Sequence, residues 1–401
     1  MHGFPSGLAA AALLLAQLTA VLGLRANVAN GSPHVERYII DLDQPPAERW
    51  REVALMYKDA IPSVLIEVES QLDDKGVDRK KWLQNHNIPS EYLSELVGFA
   101  NYVDSPEVTL PRLIIWQLAY ELGFSFTSSS ILAVDQNGTV IHGRNMDTML
   151  RFIARGKRMD AEDVLIEAVY TRGGEPIFSS LGLVGHVGVT AGMTLTGTER
   201  NASWSFQQST WYASLPTSNL AAAKHGGLPS AFVGRSLLEN RSDFKDAVRK
   251  AMTLKLMAPT YLILAGSDPW QGAVLVMDRL PSRTKKAVLH RAQVLSRSID
   301  RWFIVQTNDN FWMQGLDDRR PKGVKLMASL GQANTCPETV LLTLRTAPLF
   351  NDLTTLSWLG VPRTGQQMSY KAQESLRLIG KSGLRPELLL QRIANRSRDS
   401  R

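Results

Sequence analysis

Residues 128–147 place three side chains of complementary chemistry at the two ends of one predicted hairpin. Residues 130–134 and 139–142 read as strands, and the Asn137-Gly138 pair in the turn at 135–138 favours positive φ. Because a hairpin brings its two ends together, we expect Ser128 to lie near Arg144 and Asp147. A hydroxyl, a guanidinium and a carboxylate would then share one site.

The sequence offers few other reactive arrangements. The seven histidines show no His-x-x-x-His spacing and the chain has one cysteine, so no zinc ligand set is visible. No Gly-x-Ser-x-Gly motif occurs, and the glycines at 182–188 lack the dinucleotide-binding spacing. What remains is a nucleophile that works without histidine, such as a Ser, Thr or Cys freed by chain cleavage that uses its own α-amino group as base.

Cys336 lies in the segment Thr335-Cys-Pro-Glu338, which has the capping-box pattern with proline in the first turn. We therefore interpret it as a residue at the start of a helix and not as a catalytic thiol. A single cysteine also excludes an intrachain disulfide, so stability must come from the core.

Composition is that of an ordinary globular protein: 401 residues, 44% hydrophobic and 21% charged. The net charge is +7, but the basic residues are scattered. This distribution disfavours nucleic-acid binding and is more compatible with an anionic lipid surface.

The amino terminus indicates a secretory route. Residues 8–22 form an uncharged apolar run that is short for a membrane span, and we interpret residues 1–23 as a cleaved signal peptide, with a retained anchor as the alternative. Asn-x-Ser/Thr glycosylation sequons follow at Asn30, Asn137, Asn201, Asn240 and Asn395.

The remaining chain divides by texture. Residues 24–127 are predicted to be a helical portion, with helical periodicity at 47–72, which Pro62 kinks or splits, and further helices at 90–99 and 106–122. Residues 128–401 are predicted to be a β-rich portion carrying the catalytic core, with one long helix at 235–256 and a late helix opening at 337–344. The tail beyond about residue 366 is polar and basic, and its end is predicted to be frayed.

Several motifs together resemble one family. The segment 128–147, with Ile-His-Gly-Arg-Asn-Met-Asp, is similar to the cleavage site of the acid ceramidase and N-acylethanolamine-hydrolysing acid amidase family. These are lysosomal N-terminal-nucleophile amidases whose precursors cut themselves into α and β chains. Matching motifs follow in register at 118–121, 185–189, 196–200, 258–266, 305–308 and 317–320, and Gly-Gln-Ala-Asn at 331–334 resembles the acylethanolamine branch.

The resemblance implies an α+β fold with an N-terminal-nucleophile αββα sandwich, no cofactor, and cleavage between Thr127 and Ser128. It implies hydrolysis of fatty-acyl amides of the N-acylethanolamine or ceramide type. The family's catalytic residues fall on Ser128 (nucleophile), Arg144, Asp147 (orienting the amine), Glu199, Asn308 (oxyanion hole) and Arg319. Two structural readings stay open: a strand-end ion pair between Arg144 and Asp147, and a turn cap at Asn308.

One departure is chemical: the family has cysteine where this chain has Ser128. A hydroxyl needs a neutral amine as base, so we predict an activity optimum nearer neutral pH than the family's. Three explanations stay open, namely a working serine, a Cys-to-Ser change that traps the precursor, and a pseudoenzyme. Thr127 is a minor alternative nucleophile, and His186 replaces the family's usual tyrosine.

The implied partners are a fatty-acyl amide, a lipid or membrane surface, and the α and β chains as a heterodimer in a lysosomal or secreted protein. The aromatic-rich segment 204–212 and the helical portion are candidates for an apolar substrate channel, and ordinary core is the alternative for these aromatics. The rival function is a secreted, non-catalytic lipid-binding protein.

Overall fold

Two β-sheets form the middle of the molecule. The computed structural model describes residues 35–124, 126–195, 203–211, 214–240, 243–279, 290–313, 318–372 and 386–399. The strands are, in chain order, β1 (Glu36–Asp41), β2 (Phe126–Val134), β3 (Val140–Thr148), β4 (Arg151–Ala154), β5 (Lys157–Asp160), β6 (Leu165–Arg172), β7 (Glu175–Leu183), β8 (Ala191–Thr194), β9 (Trp204–Thr210), β10 (Thr260–Gly266), β11 (Gly272–Met277), β12 (Arg291–Val294), β13 (Phe303–Gln306), β14 (Thr354–Val361) and β15 (Gln366–Lys371).

The strands join into one large sheet, one smaller sheet and a hairpin. The eight-stranded sheet has the order β1-β6-β7-β8-β9-β10-β11-β12, and the five-stranded sheet has the order β13-β2-β3-β14-β15. Strands β4 and β5 form a separate two-stranded hairpin. The predicted hairpin of β2 and β3 is confirmed, and it occupies the centre of the smaller sheet.

Helices surround the sheets. They are α1 (Arg51–Met56), α2 (Ile61–Asp73), α3 (Arg79–Leu83), α4 (Ser90–Val103), α5 (Leu110–Gln117), α6 (Pro216–Ala223), α7 (Ser230–Glu239), α8 (Phe244–Ala251), α9 (Arg319–Leu330), α10 (Pro337–Leu344) and α11 (Pro386–Asp399).

The layers follow the order helix, sheet, sheet, helix. Strands β2 and β3 face β9 and β10 across the sandwich, α7 and α8 cover the large sheet, and α9 and α10 cover the small one. The expected α+β fold with an αββα sandwich is confirmed. Strands β10 and β11 are buried along their whole length, which fits their near-continuous apolar sequence.

The first part of the chain is not wholly helical, contrary to the sequence-based expectation. Strand β1 pairs in parallel with β6 at the edge of the large sheet. Its signal is short: Tyr38 and Ile40 are buried and Ile39 between them is exposed, a two-residue alternation over only six positions. Pro62 does split the predicted helix at 47–72, because it lies in the first turn of α2.

One later expectation is wrong. The single helix predicted at 235–256 is two helices, α7 and α8, and the second begins where Asp243 accepts a hydrogen bond from the Asp246 amide at 2.7 Å. The polar tail contains β15 and α11, where Leu390 and Ala394 are buried, and the last two residues, 400–401, lie outside the described residues. Packing of this apolar face, which a polar average composition conceals, holds the tail in place.

The predicted signal peptide, residues 1–23, lies outside the described residues. Among the helices that are described, none is long and apolar enough to cross a membrane.

Candidate active site

Ser128 lies near the start of β2, in the middle of the small sheet. Strand β2 pairs with β3 in antiparallel register, with Ser128 opposite Met146 and Thr127 opposite Asp147. Thr127 and Ser128 are consecutive residues of the strand, so the chain is described in its uncleaved form. Ser128 is only 2% exposed. The predicted nucleophile and the peptide bond before it therefore lie in paired, buried backbone.

Side chains alternate between the two faces of β3, and this alternation decides what reaches Ser128. Arg144 and Met146 line a cavity together with Ser128. Asn145 and Asp147 point the other way, where Asn145 donates to two backbone carbonyls at and after the end of α10. The predicted arginine and carboxylate thus lie on opposite faces of the strand.

Arg144 is placed to hydrogen-bond the Ser128 hydroxyl. Its Nη2 lies 3.4 Å from Ser128 Oγ, and its Nη1 donates to the Thr190 carbonyl at 3.1 Å. Its Nε is buried without a hydrogen-bond partner among the described residues. Burial lowers the pKa of Arg144 to about 10, and Asp147 opposes the shift. A buried guanidinium with an unused N–H beside the hydroxyl can bind an incoming oxygen atom.

Asp147 pairs with Arg319 and not with Arg144. Its Oδ2 lies 3.3 Å from Arg319 Nη1 and accepts from the Thr127 hydroxyl at 3.3 Å, and its Oδ1 accepts from Thr354 at 2.8 Å. Burial raises the pKa of the Asp147 carboxyl, while Arg319 and the hydroxyls oppose this shift. The expected offset of this charge by Arg144 is therefore replaced by an ion pair from the first turn of α9.

Asn308, just after β13, joins these groups to the backbone of Ser128. Its Oδ1 accepts from the Ser128 amide at 3.1 Å and from Arg319 Nη2 at 2.8 Å. Its Nδ2 donates to the carbonyl and the hydroxyl of Thr210, at 2.8 and 2.6 Å. The side-chain N–H groups of Asn308 are the ones predicted to form the oxyanion hole. In the uncleaved chain they are therefore bonded to Thr210. Arg319 Nη1 also donates to the Ser128 carbonyl at 3.2 Å.

The structure brings together five of the six predicted catalytic residues, namely Ser128, Arg144, Asp147, Asn308 and Arg319. Glu199 lies outside the described residues, and so does the whole of its motif at 196–200.

A cavity opens beside Ser128 between the two sheets and the helical portion. Its apolar walls come from both portions of the chain and include Trp116, Phe126, Met146 and Leu183. About 50 Å³ of it can take the centre of a water molecule. The helical portion therefore contributes to the cavity, as expected for a substrate channel.

The aromatic-rich segment 204–212 contributes less than was expected. Trp204 and Phe206 are fully buried core, whereas the polar end of the same strand, from Gln208 to Thr210, lines the cavity. The core alternative thus holds for these two aromatics. Tyr212 lies outside the described residues.

Two titratable side chains also line the cavity. Glu121 accepts from the amide and the hydroxyl of Ser230, both at 2.9 Å, and burial raises the pKa of its carboxyl to about 7. Desolvation lowers the pKa of His186 to about 4, while a hydrogen bond with the Gly188 carbonyl opposes the shift. At neutral pH the cavity therefore holds one neutral imidazole, one cation at Arg144 and one carboxyl near its midpoint.

Comparison with known proteins bears on this geometry. A family model described as the beta subunit of N-acylethanolamine-hydrolyzing acid amidase matches residues 33–73. Human acid ceramidase is 28% identical over 83% of this chain and 85% of its own length. The N-acylethanolamine-hydrolyzing acid amidase of Caenorhabditis elegans is 26% identical over 86% of this chain and 94% of its own length, and that of Rattus norvegicus is 28% identical over 81% and 85%.

The chain is a homologue of these amidases. A solved structure of the Caenorhabditis elegans N-acylethanolamine-hydrolyzing acid amidase ortholog aligns at 26% identity with a TM-score of 0.48, over 59% of this chain and 93% of that chain. The relatives are named as ceramidases and amidases, which supports an amide-hydrolysing enzyme.

Sequence reasoning missed the hydroxyl residues that complete the site. Thr210 and Thr354 hold Asn308 and Asp147 in place, and Thr190 holds Arg144. These threonines come from separate strands and loops, so no local motif marks them. Glu121 belongs to a motif that the family resemblance picked out, but its position at the cavity wall depends on tertiary packing.

The predicted glycosylation sites are partly described. Asn137 in the hairpin turn, Asn240 at the end of α7 and Asn395 on α11 are exposed, as a glycan requires. Asn30 and Asn201 lie outside the described residues. Glycosylation at these positions stays a prediction.

The expected role of Cys336 as a residue at the helix start agrees with the structure. Cys336 is the N-cap of α10, and its backbone N–H donates to Thr339 Oγ1 at 3.0 Å, which is one of the two bonds of a capping box. Burial raises the pKa of its thiol to about 11. A thiol with so high a pKa is a poor nucleophile at neutral pH.

Proposed function

We propose that this chain hydrolyses fatty-acyl amides, of the N-acylethanolamine or ceramide type, after cutting itself before Ser128. The observation that carries the proposal is the buried cluster around the Thr127–Ser128 bond. It combines a hydroxyl, the guanidinium of Arg144 beside it, and an Asp147–Arg319 pair tied through Asn308 to the Ser128 amide. The homology to amidases and the adjoining apolar cavity support the same chemistry.

The proposed self-cleavage is an acyl transfer followed by hydrolysis. Ser128 Oγ attacks the carbonyl carbon of Thr127, the C–N bond breaks, and the nitrogen takes the hydroxyl proton to become the free amine of Ser128. Water then hydrolyses the ester, returns the hydroxyl to Ser128 and leaves Thr127 with a carboxylate. The Asn308 Oδ1 that accepts from the amide N–H is positioned to accept from the new amine.

Turnover of an external amide would repeat this logic. The neutral amine of Ser128 takes the hydroxyl proton as Oγ attacks the substrate carbonyl, and then delivers it to the departing amine. Arg144 stabilises the developing oxyanion side, and the Arg319 pair keeps Asp147 oriented near the amine. Water releases the fatty acid from the serine ester.

We further propose that residues 24–127 and 128–401 stay together as α and β chains after cleavage. Strand β1 of the first portion pairs with β6 of the second, and Glu95 of the first forms a fully buried ion pair with Arg235 of the second. We also propose a secretory route, to the lysosome or out of the cell, and the predicted signal peptide at 1–23 and the sequons support this proposal.

Self-cleavage is tested by gel electrophoresis and N-terminal sequencing of protein held near pH 4.5 and near pH 7. We expect a new chain beginning Ser-Ser-Ser-Ile-Leu, together with release of fatty acid from an N-acylethanolamine. The Ser128→Ala variant should stay intact and inactive, since it lacks the nucleophile.

An intact wild-type chain at both pH values would contradict a working Ser128. Ser128→Cys then separates the two alternatives. Cleavage of the cysteine variant would indicate a precursor trapped by a Cys-to-Ser change, and an intact cysteine variant would indicate a non-catalytic lipid-binding protein.

A further inference from the structure

Glu121 is a buried carboxyl at the wall of the cavity that contains Ser128. It lies in the turn after α5, close before the predicted cleavage point in sequence, and is 1% exposed. Ser128 and Arg144 line the same cavity. The Glu121 side chain reaches Ser230, the first residue of α7, and accepts two hydrogen bonds at its Oε1.

The contact with α7 does not require a charged side chain. The neutral amide oxygen of a glutamine would accept the same two bonds from Ser230. Within the described parts of the chain, no cation pairs with Glu121, and its carboxylate is hydrogen-bonded by Ser230 and by its own backbone N–H. A buried carboxylate without a cation is unfavourable, so this arrangement points to a ligand that supplies a hydrogen bond.

The chemistry of a fatty-acyl amide fixes which part of it meets this carboxylate. The hydrocarbon chain has no donor, and the carbonyl oxygen is an acceptor that suits the donors of Arg144. Only the amine half carries donors: its N–H and, in ethanolamides and ceramides, hydroxyl groups. An ionised carboxylate only accepts hydrogen bonds, and a guanidinium only donates them. The amine half of the amide therefore suits Glu121, and the carbonyl oxygen suits Arg144.

We propose that Glu121 is a specificity-determining residue that accepts a hydrogen bond from a hydroxyl on the amine half of the substrate. This inference rests on the proposed function and names the feature that distinguishes a preferred substrate within it. Ethanolamides and ceramides supply the buried Glu121 carboxylate with a further hydrogen bond, whereas simple alkylamides of the same length offer it no hydroxyl donor.

The test compares two amides that differ at one group, N-palmitoylethanolamine and N-propylpalmitamide, in which a methyl replaces the hydroxyl. The cleaved enzyme is measured at about pH 8, above the raised pKa of Glu121. We expect wild-type kcat/KM to favour the ethanolamide by about 10- to 100-fold, the range for a hydrogen bond to a charged group. In Glu121→Gln this ratio should fall to within about threefold of unity, with the loss confined to the ethanolamide.

Glu167→Gln is the matched control, since Glu167 is a buried carboxyl that pairs with Arg37 at the edge of the large sheet, away from the cavity. It should leave the substrate ratio unchanged. If Glu121 only anchors α7, Glu121→Gln will lower both rates equally or lower only the melting temperature, and that result overturns the inference. Equal wild-type rates for the two amides overturn it as well, while leaving the proposed function intact. Failure of the wild type to hydrolyse either amide overturns the proposed function itself.

Discussion

At the scale of single residues, the two arginines of the site act on different groups. Arg144 faces the cavity and the Ser128 hydroxyl, and Arg319 faces the Asp147 carboxylate on the other side of the sheet. The three-residue separation of Arg144 and Asp147 along β3 requires this division, because residues an odd number apart point to opposite faces. A hydrogen-bonded path through Asn308 and the Ser128 backbone connects the two sides.

The chemistry of residue 128 predicts the pH dependence of activity. The wild-type serine needs a neutral amine, whose ordinary pKa is about 7.7, so activity should rise from acid toward neutral pH. Ser128→Cys should shift the optimum of kcat/KM to lower pH, because a thiolate can persist beside an ammonium. The measurement is a kcat/KM profile from about pH 4 to about pH 9 for both enzymes.

A matched control uses the chain's own thiol. Cys336→Ser in the Ser128→Cys background should leave the profile unchanged, since Cys336 is buried at the start of α10. A wild-type optimum near pH 4.5 would contradict the prediction that the serine enzyme works best nearer neutral pH.

Local sequence predicted the identity of the site residues better than their partners. Asn-Gly and the flanking β-branched residues were enough to place Ser128 and Arg144 at neighbouring positions on one hairpin. The ion pair from Arg319 to Asp147 joins positions far apart in sequence, and it depends on where α9 packs against the sheet. Neither local segment indicates that Asp147 and Arg319 lie within ion-pair distance of each other.

At the scale of elements, one ion cluster fastens the helical portion to the large sheet's helices. Glu95 on α4 accepts from Arg235 on α7 at 2.5 and 2.6 Å, and also from Arg49 at 2.9 Å and the Trp50 indole at 2.7 Å. Both Glu95 and Arg235 are fully buried. The Arg235 guanidinium also lies 4.3 Å from the ring centre of Tyr92. Glu95 is the carboxylate that joins these donors, although Arg235 also pairs with Glu239 and Arg49 with Glu91.

Glu95→Gln is therefore expected to lower the free energy of unfolding by about 3–5 kcal/mol, because it removes the fully buried carboxylate partner of Arg235 and leaves Glu239 as its remaining carboxylate. Urea unfolding of the uncleaved Ser128→Ala chain measures this change without interference from cleavage. Glu91→Gln is the control: Glu91 pairs with the same Arg49 but is half exposed, so its loss should cost at most about 1 kcal/mol. Equal effects of the two variants would show that the buried Glu95–Arg235 pair contributes no more to stability than the exposed Glu91–Arg49 pair.

The same scale explains the errors made from sequence. Strand β1 is short, and its parallel partner β6 lies far along the chain. The sequence therefore offers neither a long strand pattern nor a hairpin turn from which β1 could be predicted. The break between α7 and α8 interrupts a helical periodicity that looked continuous, because Asp243 caps a new helix there. The late helix predicted to open at 337–344 is α10, whose start the capping-box pattern at Cys336 marked correctly.

At the scale of the whole molecule, a polar network crosses the sandwich behind Ser128. His142 on β3 contacts Ser205 Oγ through Nδ1 at 2.8 Å and Gln207 Oε1 through Nε2 at 3.1 Å, and Gln207 Nε2 donates to Ser130 Oγ at 2.6 Å. Because Gln207 uses its amide group toward Ser130, its oxygen accepts from His142. Nε2 of His142 therefore carries a proton. In the neutral imidazole Nδ1 then accepts from Ser205 Oγ, and protonation would break or reverse that bond.

This network predicts that the fold loses stability in acid. Burial lowers the pKa of His142 to about 3, below its ordinary 6.5, so the unfolded chain binds the proton more tightly than the folded chain. Above about pH 6.5, protonation of His142 does not reduce the free energy of unfolding. Below that pH the free energy of unfolding decreases as pH falls, by about 2 kcal/mol at pH 5. His186 acts in the same direction. Glu121 acts oppositely, because its raised pKa makes stability fall as pH rises from about 4.5 to about 7.

His142→Gln should flatten the fall of melting temperature between pH 7 and pH 5, because glutamine keeps a donor toward Gln207 but binds no proton. The exposed His225 provides the control, and His225→Gln should leave the wild-type slope unchanged. Thermal unfolding of the Ser128→Ala background at several pH values gives each slope. An unchanged slope in His142→Gln would mean that the imidazole is already charged in the fold. A flattened slope would mean that the buried neutral imidazole of His142 makes the fold less stable in acid.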